Sequence, residues 1–155
     1  MPRGGFERFL VEESPVMEPA LAVQFPEIRT YRAQGIDDPT ATARLDLRPQ
    51  GFHAMIIAAD ETTFIDPYSR DDANHYASYL KHDFTKAGAE PFKCEVHGTS
   101  EPLAEFRNET AARSAHGTTL RTYRLAVSAT GEYTTFHGGT VAGALAAIVT
   151  TINRN

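Results

Sequence analysis

The sequence predicts an α+β protein in which a β-rich antiparallel region precedes one further strand and one helix. Three features predict this class. The first half alternates short β-forming runs with turn signals, residues 41–48 alternate apolar and polar side chains, and residues 141–153 carry an apolar stripe with helical spacing. A chain of 155 residues is long enough for one ordinary domain, or for a small domain with part of another.

The first half is predicted to form an antiparallel meander. Strands are expected at residues 6–12, 27–32, 41–48, 52–57 and 62–65, with turns between them that are rich in Pro, Gly and Asp. In the third strand, the apolar residues Ala41, Ala43, Leu45 and Leu47 are expected on one buried face. Residues 15–25 allow one helical turn, and residues 66–83 fit either a strand or a short helix.

The second half changes character after a linker of low apolar content at about residues 85–118. Alternation at Tyr123, Leu125, Val127 and Ala129 predicts a strand, followed by a loop at residues 133–137. Thr140 is a suitable N-cap for a helix over residues 141–153. The stripe of this helix comprises Val141, Leu145, Ile148, Val149 and Ile152. Because such a helix must be covered by a sheet, we expect residues 119–155 to be the beginning of a truncated second domain.

Charge and hydropathy exclude several classes of partner. The formal charge of −5 provides no basic patch for nucleic acid, and no apolar run reaches the length of a membrane-spanning helix. The N-terminus lacks the apolar core of a signal peptide, so we expect either a cytosolic protein or a start that lies upstream. The single cysteine, Cys94, rules out an intramolecular disulfide.

Two parts of the sequence resemble bacterial reprolysin-like metzincin protease precursors. Residues 120–133 and 136–154 are similar to the first strand and helix of the catalytic domain, and residues 25–31, 34–41 and 50–54 resemble the propeptides that precede it. The resemblance implies a prodomain at residues 1–115, including the linker from about 85, and a catalytic-domain fragment at residues 119–155. It also implies a secreted zinc metalloendopeptidase parent that cleaves protein substrates. The leader would aid folding and inhibit its own protease domain.

The zinc motif of that family, His-Glu-x-x-His-x-x-Gly-x-x-His, does not occur in this sequence. None of the six histidines has the required spacing, so we assign no catalytic residue and no zinc-binding histidine to the chain. The chain is therefore expected to be inactive alone and to need no cofactor, whereas the full-length parent would hold zinc.

Three residues are candidates for the regulation of such a precursor. The segment 91–96 resembles the Pro-Lys-x-Cys-Gly-Val latency switch at Pro91, Cys94 and Val96, which implies that the Cys94 thiolate occupies the zinc of the protease domain. Glu95 replaces the glycine of that motif, and the alternative is a small buried apolar cysteine. Arg107 and Arg113 are candidate processing sites.

Two further hypotheses concern the chain as a whole. In the first, it is a complete, non-enzymatic α+β binding module, which requires Val141, Leu145, Ile148 and Ile152 to be covered by the leader, whereas the precursor hypothesis leaves this stripe largely exposed. In the second, it is a hydrolase that uses His53 or His75, although His53 lies in a predicted strand without a nearby nucleophile. The pairs Asp37-Asp38 and Asp71-Asp72 are interpreted as turns.

Overall fold

A computed structural model describes residues 1–2, 4–70, 72–85 and 123–155. The strands are β1 (Phe9–Glu13), β2 (Arg29–Gly35), β3 (Thr42–Arg48), β4 (Gly51–Ile57), β5 (Thr62–Ser69) and β6 (Asp72–Leu80). The helices are α1 (Pro19–Gln24), α2 (Gly131–Phe136) and α3 (Val141–Asn153), and a short 3₁₀ helix spans Lys81–Asp83.

The strands form one sheet in sequence order, β1-β2-β3-β4-β5-β6, and every neighbouring pair is antiparallel. The predicted meander is therefore confirmed, as is the broad α+β class. Residues 66–83 continue β5 and form β6, so the strand alternative is correct for most of that segment. The predicted helical turn is α1, where Pro19 lies in the first turn and so costs no hydrogen bond.

Successive residues of each strand point to opposite faces, and the two faces differ in composition. We call one the apolar face, because Ala33, Ala43 and Ile56 are paired across β2, β3 and β4 and form a buried cluster there. The other we call the polar face, because it carries Asp46, Arg48, His53, Asp66 and Tyr79. Helix α3 packs on the polar face.

The predicted burial in β3 is only partly correct. Ala41 and Ala43 are buried, but Leu47 is 46% exposed while its neighbour Asp46 is 1% exposed. Position 47 lies on the apolar face, towards the end of β3, whereas position 46 lies beneath α3. Helix packing thus decided which side chain is buried.

Helix α3 begins after Thr140, as predicted, and the Thr140 hydroxyl accepts a hydrogen bond from the Gly143 N–H. The residues it buries are mostly small, namely Gly143, Ala144, Ala146, Ala147, Val149, Thr150 and Asn153. Of the bulky stripe, only Val149 is buried: Val141 is 74% exposed, and Leu145, Ile148 and Ile152 are only partly buried. Small side chains allow the helix to approach the strands closely enough for polar contacts to form.

A buried cluster of Ile28, Ala146 and Val149 joins α3 to the start of β2. Met17, Phe25 and Leu145 pack against this cluster. The helix is therefore held by residues of the first half of the chain, although its stripe is neither fully covered nor fully exposed.

Two predictions for the segment before α3 are wrong. Residues 123–130 form no strand in the described part of the chain, and their side chains are exposed. Alternation supplies the propensity for a strand, but a strand exists only where a neighbour satisfies its backbone hydrogen bonds. The expected loop at 133–137 is largely helix α2, because the Thr130 hydroxyl accepts a hydrogen bond from the Tyr133 N–H and caps it.

Residues Met1–Thr85 and Val127–Asn155 belong to one compact unit, and Lys86–Ala126 is grouped apart from it. The predicted linker from about residue 85 and the boundary between residues 115 and 119 lie outside the described residues. Among the described residues, no helix is long and apolar enough to cross a membrane.

Candidate functional site

A group of polar side chains lies between the polar face of the sheet and helix α3. The register of β3 and β4 places Asp46 opposite His53, and β5 brings Asp66 beside His53. The last turns of α3 add Thr150 and Arg154 from above. We call these residues, with Arg48 and Tyr79, the polar network.

His53 is the centre of this network and is 7% exposed. Its Nδ1 lies 2.6 Å from Asp66 Oδ1, and its Nε2 lies 2.6 Å from an Nη of Arg48. Because a guanidinium group can only donate, Nε2 must accept, and the ring proton is on Nδ1, where it is donated to Asp66. Asp66 thus fixes both the tautomer and the orientation of His53.

Asp66 accepts hydrogen bonds from three side chains. Besides His53, the Tyr79 hydroxyl donates at 2.6 Å and the Arg154 guanidinium donates at 2.5 Å. Burial opposes ionisation of Asp66, but the hydrogen bonds from these partners outweigh it and hold its pKa at about 2. Burial, together with the bond to Asp66, raises the pKa of Tyr79 to about 12.

Asp46 is a second carboxylate on the same face, and its pKa is shifted in the direction opposite to that of Asp66. Its Oδ2 accepts a hydrogen bond of 2.7 Å from the Thr150 hydroxyl, and its Oδ1 has no hydrogen-bond partner among the described residues. Burial raises the pKa of Asp46, and the bond from Thr150 together with nearby cations only partly offsets this effect.

The end of α3 is attached to the sheet by two more contacts. The Asn153 side-chain amide donates to the Leu45 carbonyl at 2.9 Å, and Arg154 also donates to the Ala54 carbonyl at 3.3 Å. Together with the bonds to Asp46 and Asp66, these contacts attach the helix to β3, β4 and β5. The polar network therefore anchors the helix to the sheet.

The geometry does not favour hydrolysis. His53 Nε2, the atom that a general base would use, is occupied by Arg48. His75 is exposed, and its Nδ1 contacts Asp72 at 2.6 Å. The hydroxyl of Thr150 is committed to Asp46 and to the Ala146 carbonyl. The described residues thus supply neither a free base nor an activated nucleophile at this place.

Beside the polar network lies a cleft of about 710 Å³ whose wall includes Arg48, His53, Arg70, Phe136 and His137. We call it the basic cleft. Burial is the main cause that lowers the pKa of His137, and repulsion by Arg70 and Arg48 adds to it.

Most residues of the polar network were not predicted from the sequence. Asp46, His53 and Asp66 lie on three different strands. Only the register of the hairpins shows that their side chains are neighbours on the same face of the sheet. That register was available from the turns at Pro49-Gly51 and 59–61. No signal in the sequence indicated that α3 would pack on this face and bring Arg154 to Asp66.

The two aspartate pairs were predicted to form turns. Asp37 pairs with Arg8 at 2.6 Å, and Asp38 accepts from the Thr40 N–H, so this pair forms a turn as expected. Asp72 likewise accepts from the Asn74 N–H, while residue 71 is not described.

The three candidate regulatory residues, Cys94, Arg107 and Arg113, all lie outside the described residues. Within the described ranges, no group of three or more His, Cys, Asp and Glu side chains is arranged to hold a metal ion.

Compared with known proteins, the chain matches no protein-family model, no curated protein and no solved structure.

Proposed function

We propose that this chain is the prodomain and the opening strand and helix of a secreted zinc metalloendopeptidase precursor of the reprolysin-like type. The proposal depends on the resemblance of residues 25–54 and 120–154 to such precursors. The structural observation that carries it is the segment 123–130, which has the alternation of a strand yet is exposed and belongs to no strand in the described part of the chain.

This segment has the properties of a strand that lacks its sheet. Tyr123 is 79% exposed and Leu125 is 70% exposed, which is costly for large apolar side chains. In the catalytic domain that the resemblance implies, this segment is the first strand, and the rest of the sheet would pair with it.

The outer side of α3 supports the same proposal. Val127, Ala129, Tyr133, Ile148 and Ile152 are among the residues that line a mainly apolar groove of about 350 Å³. Of the bulky stripe of α3, Ile148 and Ile152 line this groove. A further layer of the catalytic domain would cover these side chains and bury their apolar surface.

In this proposal the leader is a scaffold for the catalytic domain. The sheet of Met1–Thr85 holds α3 through the bonds from Thr150 to Asp46 and from Arg154 to Asp66. Such contacts would position the helix while the remaining strands fold, and they would be broken when the leader is released. The Cys94 thiolate would keep the enzyme latent at the zinc of the protease domain, and cleavage after Arg107 or Arg113 would end latency.

The first test is the coding sequence that follows Asn155. It should encode a His-Glu-x-x-His-x-x-Gly-x-x-His motif in the same reading frame, and a frame without that motif contradicts the proposal.

The second test uses the precursor expressed through that motif, as wild type and as Cys94→Ser, with Ser100→Ala as a control in the same region. Peptide hydrolysis should be absent from the wild type and the control before cleavage, and measurable in Cys94→Ser. Equal latency of all three proteins would remove the role of Cys94, and N-terminal sequencing of the mature enzyme would identify the processing site.

A second candidate function is that of a complete, non-enzymatic binding module. The observation that favours it is the anchoring of α3 on the leader, in one compact unit with the sheet. Size-exclusion chromatography and urea unfolding of residues 1–155 separate the two candidates. A stable monomer with one cooperative transition favours the module, whereas self-association through the segment 123–130 and the apolar groove favours the precursor.

A further inference from the structure

The basic cleft has properties that neither candidate function uses. It lies between the β3–β4 hairpin, the end of β5 and the connection from α2 to α3. The ionisable groups among its described lining residues are Arg48, His53, Arg70 and His137, together with the Tyr68 phenol. No Asp or Glu belongs to that described lining, although the chain as a whole carries a net charge of −5. The described lining of the cleft therefore presents two arginines and no carboxylate, although Asp46 and Asp66 lie close to Arg48 and His53.

Arg48 is the inner cation of the cleft. Its side chain is half-buried, its Nε is buried without a hydrogen-bond partner among the described residues, and an Nη donates to His53 Nε2. Asp46 attracts it electrostatically, but the hydrogen bond that the structure shows to Asp46 comes from Thr150. A buried guanidinium group with unfilled donors is favourable only if an anion or water satisfies them.

Arg70 is the outer cation. Its guanidinium carbon lies 3.5 Å from the centre of the Phe136 ring, and it donates a hydrogen bond to the Phe136 carbonyl. Stacking fixes the plane of the guanidinium group, and a guanidinium group has further N–H donors, besides the one that bonds the Phe136 carbonyl, with which to bind an oxyanion. Arg70 is exposed, so a ligand can reach it without a rearrangement of the sheet.

The backbone of the α2–α3 connection shapes the remaining wall. A Cβ at Gly143 would lie 2.2 Å from the His137 carbonyl oxygen, so only glycine allows this connection to approach the first turn of α3. Gly138 has a φ of +94°, which favours glycine as well. His137 is thereby held at the cleft, half-buried, as an additional hydrogen-bonding group.

We propose that the basic cleft binds a small organic anion, with its phosphate or carboxylate group between Arg48 and Arg70 and its apolar body along Pro67, Tyr68 and Phe136. The volume supports an organic ligand, because about 710 Å³ lies within the usual range of small-molecule sites and far exceeds the size of one inorganic ion. The aromatic and proline side chains of the wall provide the apolar surface that such a ligand would cover.

The test is calorimetric titration of residues 1–155 with phenyl phosphate, inorganic phosphate, benzoate and benzyl alcohol. Phenyl phosphate or benzoate should bind with a Kd of about 1 mM or lower. Inorganic phosphate should bind roughly tenfold more weakly than phenyl phosphate, because it lacks the apolar body, and benzyl alcohol should not bind. The better of the two organic anions identifies the head group.

Variants locate the binding. Arg70→Gln should weaken it about tenfold, which corresponds to the loss of one charge-assisted hydrogen bond. Arg29→Gln is the matched control, because Arg29 is an exposed arginine that lies outside the cleft and pairs with Glu13. Arg48→Lys, which keeps the charge of the inner cation, should also weaken binding.

Several results would overturn the proposal. These are no saturable binding of any anion, equal binding by the Arg70 and Arg29 variants, or binding of benzyl alcohol as tight as that of phenyl phosphate. None of them bears on the precursor proposal, which is tested by the downstream sequence and by protease latency.

Discussion

On the apolar face of the sheet, Ala33, Ala43 and Ile56 pack into a buried cluster, whereas the polar face carries Asp46, His53 and Asp66 beneath helix α3. The two sets of side chains share strands β3 and β4, and the first extends to β2 while the second extends to β5. The apolar face is stabilised by the removal of surface from water, and the polar face by hydrogen bonds between charged partners in a confined space.

In this sheet, the burial of a side chain does not follow from its hydrophobicity, since Asp46 is buried while Leu47 is exposed. A charged side chain can be buried in this sheet when its partners are supplied from another element, as Arg154 and Thr150 of the α3 region are supplied to Asp66 and Asp46. Loss of an apolar side chain leaves a cavity, while loss of one charge leaves its partner unpaired. The following predictions compare these two effects.

The largest effect is expected on the apolar face. Ile56→Ala should reduce the free energy of unfolding by about 2–4 kcal/mol, because it opens a cavity in the buried cluster. Urea unfolding measures the change. Ile57→Ala is the matched control, since Ile57 is the next residue of β4 and is exposed, and it should cost less than about 1 kcal/mol. Equal losses would show that the apolar face is not the main core.

The next effect concerns Asp66 and its pH dependence. Asp66→Asn should lower the free energy of unfolding at pH 7 by about 2 kcal/mol, because His53, Tyr79 and Arg154 lose their charged acceptor. The folded-state pKa of Asp66, about 2, lies below its ordinary value of 3.8. The stabilisation is therefore complete above about pH 4 and is lost as the pH falls through about 2.

Unfolding measured at intervals between pH 6 and pH 2 tests this assignment. The Asp66→Asn variant should lose less stability over that range than the wild type. Asp72→Asn, which alters a partly exposed carboxylate paired with the exposed His75, should resemble the wild type at pH 7. If Asp66→Asn loses as much stability between pH 6 and pH 2 as the wild type, another carboxylate dominates the acid dependence.

A smaller effect is expected at the start of α3. Thr140→Ala should cost about 1 kcal/mol, because the Gly143 N–H loses the side-chain oxygen that caps it. Thr140→Asn keeps an acceptor and should retain most of the stability. Far-ultraviolet circular dichroism during thermal unfolding measures both variants. If the two behave alike, the contacts of Asn153 and Arg154 at the other end position the helix without help from the cap.

The smallest effect on the free energy of unfolding is expected at Asp46, whose contribution to stability should change with pH in the direction opposite to that of Asp66. Burial raises the pKa of Asp46, so its ionised form at pH 7 opposes folding, and its contribution falls as the pH rises through the folded-state pKa. Asp46→Asn should leave the free energy of unfolding within about 1 kcal/mol of the wild type, or raise it, because the amide oxygen still accepts from Thr150. A loss as large as that of Asp66→Asn would show that the Asp46 charge is needed by Arg48.

Local sequence patterns predicted the strands of the meander and helix α3 because each depends on nearby residues. The alternation in residues 41–48 specifies β3, and Thr140 with the 3.6-residue periodicity specifies the start of α3. The candidate site was not predictable in the same way. His53 was interpreted as an ordinary residue on a face of the sheet, because its partner Asp66 lies 13 positions away along the chain, and Arg154, which also bonds to Asp66, lies 101 positions away.

Backbone periodicity, turn chemistry and capping are local properties, and they were sufficient to predict the order of the strands, the two alternating faces and the position of helix α3. The packing of distant elements was needed to establish that α3 contacts the sheet mostly with small residues, that Asp46 is buried while Leu47 is exposed, and that residues 123–130 form no strand in the described part of the chain. The physical reason is that periodicity is set by neighbours along the chain. The choice of face depends on which distant side chains can satisfy one another's charges and hydrogen bonds once the elements meet.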